Sequence, residues 1–386
     1  MRTRFQMFLT LITNLLPLQV TDKRVFTANN DSSKRVLGMH YCRILRTMPL
    51  LLAWAFLILV LGLRLLPMTA HAAGVRNIVI PAASGAPRIT AQIWTPCAAP
   101  AGPIMVESGG VPLILAGVKD CVSAGKKLPL ILISHGLYGD AFSHHDTAEF
   151  LADNGFAVVA LNHTQDSYAN ISDKSPDDIS SLLVRPVDIR RVIDFLLNDP
   201  QTSMYIDARR IGFFGFSRGG YTGLMLAGAV PNFQSPPFPC PEAIMMCKQI
   251  RENNIPEHGP VYDPRIKAFV IADPLSFFPD SASLKNVKAP VQLWSSERGT
   301  VGATPEDVAA LAHNLPNQPE FHRVANAAHM SFLAPCTAEE AKALPSMICT
   351  DPPKFDRSAF HKTFNLQVLQ FFRRNLGVSV FRGRTK

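Results

Sequence analysis

Several features that would assign the chain to other protein classes are missing. The 386 residues contain no internal repeat and no low-complexity tract, which excludes solenoid arrays and compositionally biased disordered proteins. No Cys-x-x-Cys pair and no close Cys/His grouping occurs, so the sequence has no zinc site of the usual spacing. We therefore expect neither a metal nor an organic cofactor.

A sustained excess of one charge is also missing. The 38 Lys and Arg outnumber the 30 Asp and Glu, but residues 1–72 account for nine of the basic and two of the acidic residues. Subtracting these leaves 29 basic and 28 acidic residues in the remainder, a net charge of +1. With a charge so close to neutral, we expect neither a nucleic-acid nor an anionic-membrane partner.

The uninterrupted apolar run at residues 49–63 is short for a bilayer span. It has 15 residues, whereas a spanning helix needs about 20. Arg43 and Arg46 precede it and Ala70-His71-Ala72 follows it, and these are the parts of a secretory signal peptide. The arginine just after the run disfavours the alternative, an uncleaved anchor. We predict a leader over residues 1–72, cleavage near Ala72, export to the periplasm or the extracellular space, and no membrane span afterwards.

Cysteine usage supports export. Six of the seven cysteines follow the leader, and an even number in an oxidising compartment is typical of disulfides. Buried free thiols are the alternative, which is less expected in an exported chain. Fifteen pairings of six cysteines are possible, and we predict nearest-neighbour pairing: Cys97–Cys121, Cys240–Cys247 and Cys336–Cys349.

Short apolar runs alternate with segments of helical periodicity over residues 73–386. Residues 130–134 and 268–272 are typical of buried parallel strands, and residues 177–197 have helical spacing. Residues 89–94 alternate between apolar and polar and predict an early edge strand. This alternation predicts one α/β domain, with a mostly parallel central sheet and helices on both faces. The proline-rich residues 231–264 are predicted to form a cap-like insertion, or a plain surface excursion.

The strongest chemical signal lies at residues 215–219, Gly-Phe-Ser-Arg-Gly, which fit the pattern G-x-S-x-G. A predicted strand precedes it and a predicted helix follows, so Ser217 would lie on a sharp strand-to-helix turn. The helix N-terminus behind the serine would stabilise developing negative charge. Ser217 is the predicted nucleophile; the alternative is a glycine-rich turn with an incidental serine.

A second glycine-containing turn follows the strand at residues 130–134. In this kind of fold an upstream strand end supplies one oxyanion N–H group, and the residue after the nucleophile, Arg218, supplies the other. Gly136 would let the backbone approach a substrate oxygen. The neighbouring His135 is an alternative general base, although its position before the glycine favours a structural role.

Among the eleven histidines, His329 is the predicted general base. It lies in a loop after the last strand, and the chain order serine, acid, histidine is the one expected of this fold. The strand residue His322 and the helix residue His361 are predicted to be structural. Three further histidines suggest a metal but lack supporting carboxylate spacing: His144, His145 and His163.

The acid of the predicted triad has two candidates. Asp273 follows the strand at residues 268–272, and Glu297 follows the next strand, at residues 291–294. Either carboxylate could orient an imidazole and stabilise its charged form. Both strand ends face the predicted site, so the residues themselves leave the choice open.

Four motifs carry a family resemblance: LISHGL, FLADNGFAVVALNH, GFSRGG and AHMSF. They resemble the dienelactone hydrolase-like group of α/β-hydrolases, and within it the platelet-activating-factor acetylhydrolases, over about residues 128–376. The resemblance implies Asp273 as the acid, because a similar DPLSFFP segment carries it there, and assigns no triad role to the Ser-Glu pair that resembles Ser296-Glu297. It also implies oxyanion N–H groups on Leu137 and Arg218.

The chain departs from this family at the elbow, where Phe216 and Arg218 replace the usual His and Phe. Neither position supplies triad chemistry, so the departure bears on substrate preference and not on the reaction.

These features predict a secreted serine hydrolase that cleaves carboxylic esters through an acyl-enzyme. The expected partner is a small-molecule or lipid ester, short-chain or phospholipid-acyl-like. One alternative is a lipase- or cutinase-like hydrolase. Another is a dienelactone or carbon–carbon hydrolase, although such enzymes commonly have Cys where this chain has Ser217. A non-catalytic binding protein on the same scaffold would lack a triad member, and none is missing here.

Overall fold

The computed structural model describes residues 72–83, 85–170, 177–236, 239–240, 244–257, 259 and 261–378. The elements below belong to one compact unit, Thr69–Lys386. The predicted signal peptide before Ala72 lies outside the described residues. Within the described part of the chain, every helix is too short or too polar to cross a membrane.

Within the described residues, ten strands form one sheet in the order β10-β9-β8-β7-β5-β6-β2-β1-β4-β3. Six of the nine neighbouring pairs are parallel, which confirms the predicted mostly parallel sheet. The strands are β1 Ala72–Ile80, β2 Ile89–Cys97, β3 Gly102–Ser108, β4 Val111–Lys119, β5 Leu128–Ser134, β6 Ala157–Leu161, β7 Ile206–Phe216, β8 Ile266–Ala272, β9 Val291–Ser296 and β10 Glu320–Val324.

Helices connect the strands and cover the sheet. They are α1 His145–Asp153, α2 Ile179–Asn198, α3 Pro200–Ser203, α4 Arg218–Leu226, α5 Met245–Arg251, α6 Ser281–Leu284, α7 Pro305–Asn314, α8 Ala338–Ala343, α9 Ser346–Cys349 and α10 Arg357–Asn375, with 3₁₀ turns at Tyr168–Asn170 and His329–Phe332.

Apolar side chains fill both faces of the sheet, and β5 illustrates why its sequence is continuously apolar. Leu130 and Leu132 join a cluster with residues of α2, α4 and α7. Ile131 and Ile133 point the other way and join a cluster with residues of α1 and α10. Because successive side chains of a strand alternate between faces, a strand buried on both sides has no polar position.

The amino-terminal part of the sheet differs from the sequence-based expectation. The alternating pattern of β2 predicted an edge strand, but β2 lies between β1 and β6. The reason is that β1, which begins at the end of the predicted leader, and a β3–β4 hairpin extend the sheet beyond it. β3 is the edge strand instead.

The described part of the predicted insertion, residues 231–264, contains α5. Met246, Cys247 and Ile250 of this helix are buried in the same cluster as α2. The Gln249 side chain accepts a hydrogen bond from the N–H of Ile179, at the start of α2 (2.9 Å). The described insertion residues therefore pack beside the sheet as an added helix.

In the part of the chain that the structure describes, three disulfides join the pairs Cys97–Cys121, Cys240–Cys247 and Cys336–Cys349. These are the predicted nearest-neighbour pairs. Each bridge closes a local loop at the end of a strand or next to a helix, so the bridges fasten the loops around the sheet to its body.

Candidate active site

Ser217 occupies a strained turn between β7 and α4, with φ 56° and ψ −116°. The two flanking positions must be glycine, because there is no space for a side chain at either of them. A Cβ on Gly215 would lie 2.2 Å from the carbonyl oxygen of Gly219, and one on Gly219 would lie 1.9 Å from that of Ser134. The G-x-S-x-G spacing therefore reflects the crowding of the turn that presents the serine at the carboxyl end of the sheet.

His329 begins the 3₁₀ turn after β10, and its ring contacts Asp273. His329 Nδ1 lies 3.1 Å from Asp273 Oδ2, and the aspartate, directly after β8, is fully buried. An imidazole that donates from Nδ1 to a carboxylate has Nε2 available to accept a proton. Histidine and aspartate are thus arranged as a base and its orienting acid.

The Asp273 carboxylate has further donors. Its Oδ1 accepts the backbone N–H of Ser296 (2.7 Å), and its Oδ2 accepts the Ser296 hydroxyl. The aspartate itself has a positive φ of 40°, which turns it out of the strand direction. These bonds fix the carboxylate where it meets the His329 ring.

Phe216, the residue before the serine, contacts the histidine ring. The Phe216 and His329 rings are 4.6 Å apart, and Phe216 immediately precedes Ser217. Among the described residues, no hydrogen bond joins Ser217 Oγ to the His329 ring, whose Nδ1 contacts Asp273. Such bonds commonly tighten only when substrate binds.

Glu297, the alternative acid, has a different partner. Its side chain is exposed, and its Oε2 accepts the backbone N–H of Asn326 at 2.5 Å. Asn326 has a positive φ of 57° and lies three residues before His329. Glu297 therefore supports the start of the histidine loop, while Asp273 contacts the ring.

The turn after β5 brings one candidate oxyanion donor to the serine. A Cβ on Gly136 would lie 3.3 Å from the Ser217 Cβ, so the two turns are in contact. Tyr138 N–H donates to Asp166 O (3.0 Å) and Gly139 N–H to Gly136 O (3.2 Å), whereas the Leu137 N–H has no acceptor within the described structure. The N–H of Arg218, at the first position of α4, is the second candidate donor.

A buried Arg–Asp–Arg cluster lies behind both candidate donors. Asp166 binds Arg185 of α2 at 2.6 Å and the Arg218 side chain at 3.2 Å, and all three residues are at most 5% exposed. Burial alone would raise the pKa of Asp166, but the two guanidinium groups lower it to about 2. The carboxylate is therefore ionised at neutral pH.

This cluster holds the turn after β5, which carries the candidate Leu137 donor and is called the oxyanion turn, on both sides of Leu137. Arg185 donates to the carbonyl of His135, and the carbonyl of Asp166 accepts the Tyr138 N–H. Sequence reasoning missed Asp166 and Arg185. A usable signal was Arg185 itself, a charged residue on the apolar stripe of the predicted helix.

The other histidines of the turn region serve as structural hydrogen-bonding groups. His135 Nδ1 donates to Gly136 O (2.6 Å) and Nε2 accepts the N–H of His163 (3.2 Å). Burial lowers the pKa of both histidines well below the usual value. His163 in turn contacts the Ser134 hydroxyl and Asp188.

Three further histidines lie apart from the proposed chemistry. His144 is buried against Phe214 and Phe216, and burial lowers its pKa to about 3. His145 contacts Glu149, and His322 stacks on a tryptophan. Within the described residues, no group of three or more His, Cys, Asp or Glu side chains is placed to hold a metal ion.

Comparison with protein-family models and with curated proteins finds no match. Among solved structures, the chain is similar to a ferulic acid esterase from Streptomyces cinnamoneus, with a TM-score of 0.53 and 18% sequence identity. The similarity covers 81% of this chain and 92% of that one. A likeness at this identity identifies the fold, which is the α/β-hydrolase type.

Proposed function

We propose that the protein is a serine hydrolase that cleaves carboxylic esters. The observation that carries this proposal is the His329–Asp273 pair beside a serine on a strained strand-to-helix turn. These are the nucleophile, base and orienting acid of a triad in the chain order of this fold. The ferulic acid esterase whose fold is similar gives a second, weaker reason to expect an ester substrate.

Each step of the reaction uses these residues. His329 Nε2 takes the Ser217 hydroxyl proton as Oγ attacks the ester carbonyl, and the N–H groups of Leu137 and Arg218 hold the oxyanion. The intermediate collapses to an acyl-enzyme as the imidazolium gives its proton to the leaving alcohol. Water, deprotonated by His329, then attacks the acyl carbon, and the acid product leaves as Ser217 regains its proton.

The substrate class within this proposal is a short-chain or phospholipid-acyl-like ester. The resemblance to platelet-activating-factor acetylhydrolases supports it, and Arg218 at the elbow distinguishes this chain from that family. The acyl-chain preference of the enzyme would distinguish a lipase- or cutinase-like hydrolase from the one proposed. An enzyme specific for carbon–carbon bonds or dienelactones would leave simple esters uncleaved.

The test combines covalent labelling with turnover of nitrophenyl esters of increasing chain length. A fluorophosphonate probe should label Ser217, and Ser217→Ala should abolish labelling and lower kcat by several orders of magnitude. Ser276→Ala is the matched control, because this buried serine follows Asp273 closely and has no role in the steps above. Labelling at another serine would contradict the assignment, and a folded protein with neither labelling nor turnover would be a binding protein.

A further inference from the structure

A second histidine–carboxylate pair lies beneath the turn that carries His329. His361, on α10, is 2% exposed. Its Nδ1 lies 2.7 Å from Asp146 Oδ2, on α1, and its Nε2 lies 3.0 Å from the carbonyl oxygen of Ser331. Ser331 is two residues after His329, within the same 3₁₀ turn. The pair thus joins two helices to the loop of the proposed general base.

Both partners of the His361 ring are acceptors. The Ser331 carbonyl has no proton to donate, and the Asp146 carboxylate is ionised. Burial alone would raise the pKa of Asp146, but the hydrogen bond and the charge of His361 hold it well below its usual range. Asn365 also donates to the same carboxylate oxygen (2.9 Å). A neutral imidazole would place the lone pair of one ring nitrogen against an oxygen, so the two acceptors favour a ring that carries a proton on each nitrogen.

The groups around His361 fit a positive charge. Asp146 is the carboxylate that contacts it. His145, next to Asp146, pairs with Glu149. Arg357, one turn before His361, pairs with Asp351. His144 is neutral because burial lowers its pKa to about 3. The aromatic rings of Phe360 and Phe364, on the same helix, pack around the imidazole. The imidazole is therefore enclosed largely by apolar groups, where charged hydrogen bonds are strong and directional, whereas the Asp146 side chain is 20% exposed.

The Ser331 peptide transmits this restraint to His329. The Ser331 hydroxyl donates to Asp351 (2.7 Å) and accepts the N–H of Ala328 (3.1 Å), which closes the turn around His329. His361 holds the carbonyl of the same residue. We infer that His361 is a buried imidazolium which, paired with Asp146, positions the turn that aims the His329 ring at Ser217. The positioning role rests on the proposed function, whereas the charge state does not.

The charge state is tested without turnover, by ¹⁵N NMR of the histidine rings in the full mature protein. The expected His361 spectrum at neutral pH is that of an imidazolium, with two protonated ring nitrogens. Asp146→Asn should convert it to a neutral ring, because the countercharge is removed. A non-protonated His361 nitrogen in the wild-type protein at neutral pH would overturn the inference, even if the enzyme hydrolyses esters as proposed.

The positioning role is tested by kinetics with a matched control. His361→Gln should lower kcat by on the order of 10²-fold, as small misplacements of catalytic groups do, with KM little changed. His322→Gln is the control: His322 also contacts a carboxylate, Glu320 (3.1 Å), but makes no bond to the His329 turn. It should keep the wild-type kcat. Asp146→Asn provides a second variant, and its kcat should fall as His361→Gln does.

A thermodynamic cycle separates positioning from general stability. In a His329→Ala background, His361→Gln should no longer lower the residual rate, because its effect acts through the missing ring. Its effect on the unfolding midpoint should be the same in both backgrounds. An equal loss of rate in both backgrounds would overturn the positioning role. Retained activity in Ser217→Ala would instead overturn the proposed function and leave the NMR result standing.

Discussion

The two acidic residues near His329 have different partners, which predicts different kinetic effects. Asp273→Asn removes the buried carboxylate bonded to His329 Nδ1, and kcat should fall by about 10⁴-fold, as in other triads. Glu297→Gln keeps an oxygen for the Asn326 N–H, so kcat should change far less. Steady-state kinetics on a nitrophenyl ester would measure both. A larger loss for the glutamate variant would show that the acid is assigned wrongly.

Sequence alone identified Ser217 and His329 as candidates because a local pattern or a chain order marks each of them. Residue spacing could not choose between Asp273 and Glu297, because both follow strand ends and the decision depends on side-chain direction; only the family resemblance favoured the aspartate. The positive φ of Asp273 and the Ser296 donors determine that direction. Such contacts between separate strands leave no trace in residue spacing.

At the level of elements, the packing of β7 and α4 against β5 depends on Gly219. A methyl group there would lie 1.9 Å from the backbone oxygen of Ser134, which cannot move without shifting a central strand. Gly219→Ala should destabilise the fold by about 3 kcal/mol or more, and should also abolish probe labelling. Gly102→Ala is the control, because a Cβ there meets nothing within 4 Å. Urea unfolding would measure both, and equal midpoints would contradict the prediction.

The Arg185–Asp166–Arg218 cluster links α2 and α4 to the oxyanion turn and predicts a dependence of stability on pH. The pKa of Asp166 is lowered to about 2 in the folded protein, so its ionised form stabilises the fold above the unfolded pKa of about 3.9. That contribution is lost as pH falls through the folded pKa. Asp166→Asn should cost roughly 3–5 kcal/mol at neutral pH, because the buried Arg185 loses its paired carboxylate. Arg218 also loses this carboxylate and keeps Asp177.

Urea titrations between pH 2 and pH 7 would test this. The difference in unfolding free energy between wild type and Asp166→Asn should be constant above about pH 5 and shrink as pH falls from about 4 to 2. Asp194→Asn is the control, since Asp194 pairs with Arg265 at the exposed surface and such pairs contribute at most about 1 kcal/mol. A difference that does not change with pH would show that the pKa of Asp166 is the same in the folded and unfolded states, which would contradict the prediction.

Element prediction succeeded for strands that are buried on both faces, such as β5 and β8, because the sequence of such a strand is continuously apolar. It failed for β1, because that strand begins at the end of the predicted leader and reads as its continuation. The position of β2 was wrong for the same reason: without β1, nothing in its own residues shows a neighbour on that side. Strand order depends on contacts between distant segments, which a local pattern does not contain.

For the whole molecule, the described sheet and the three disulfides are compatible with export. β1 begins at Ala72, which pairs with Cys97 in the antiparallel register with β2. A cut after Ala72 would remove one of the nine paired residues of that strand. The Cys97–Cys121 bridge fastens the end of β2 to the segment after β4. The predicted cleavage therefore leaves the folded body intact.

Counting thiols tests export, cleavage and pairing together. The mature protein should begin near Ala73, show no titratable thiol when native, and show six after denaturation and reduction, because Cys42 leaves with the leader. Non-reducing peptide mass spectrometry should recover the three linked pairs, whose short loops each stabilise the fold by about 2–4 kcal/mol. One native thiol and seven after reduction would contradict cleavage. Six native thiols would contradict the bridges, because an exported chain with these pairs closed has none of the six free.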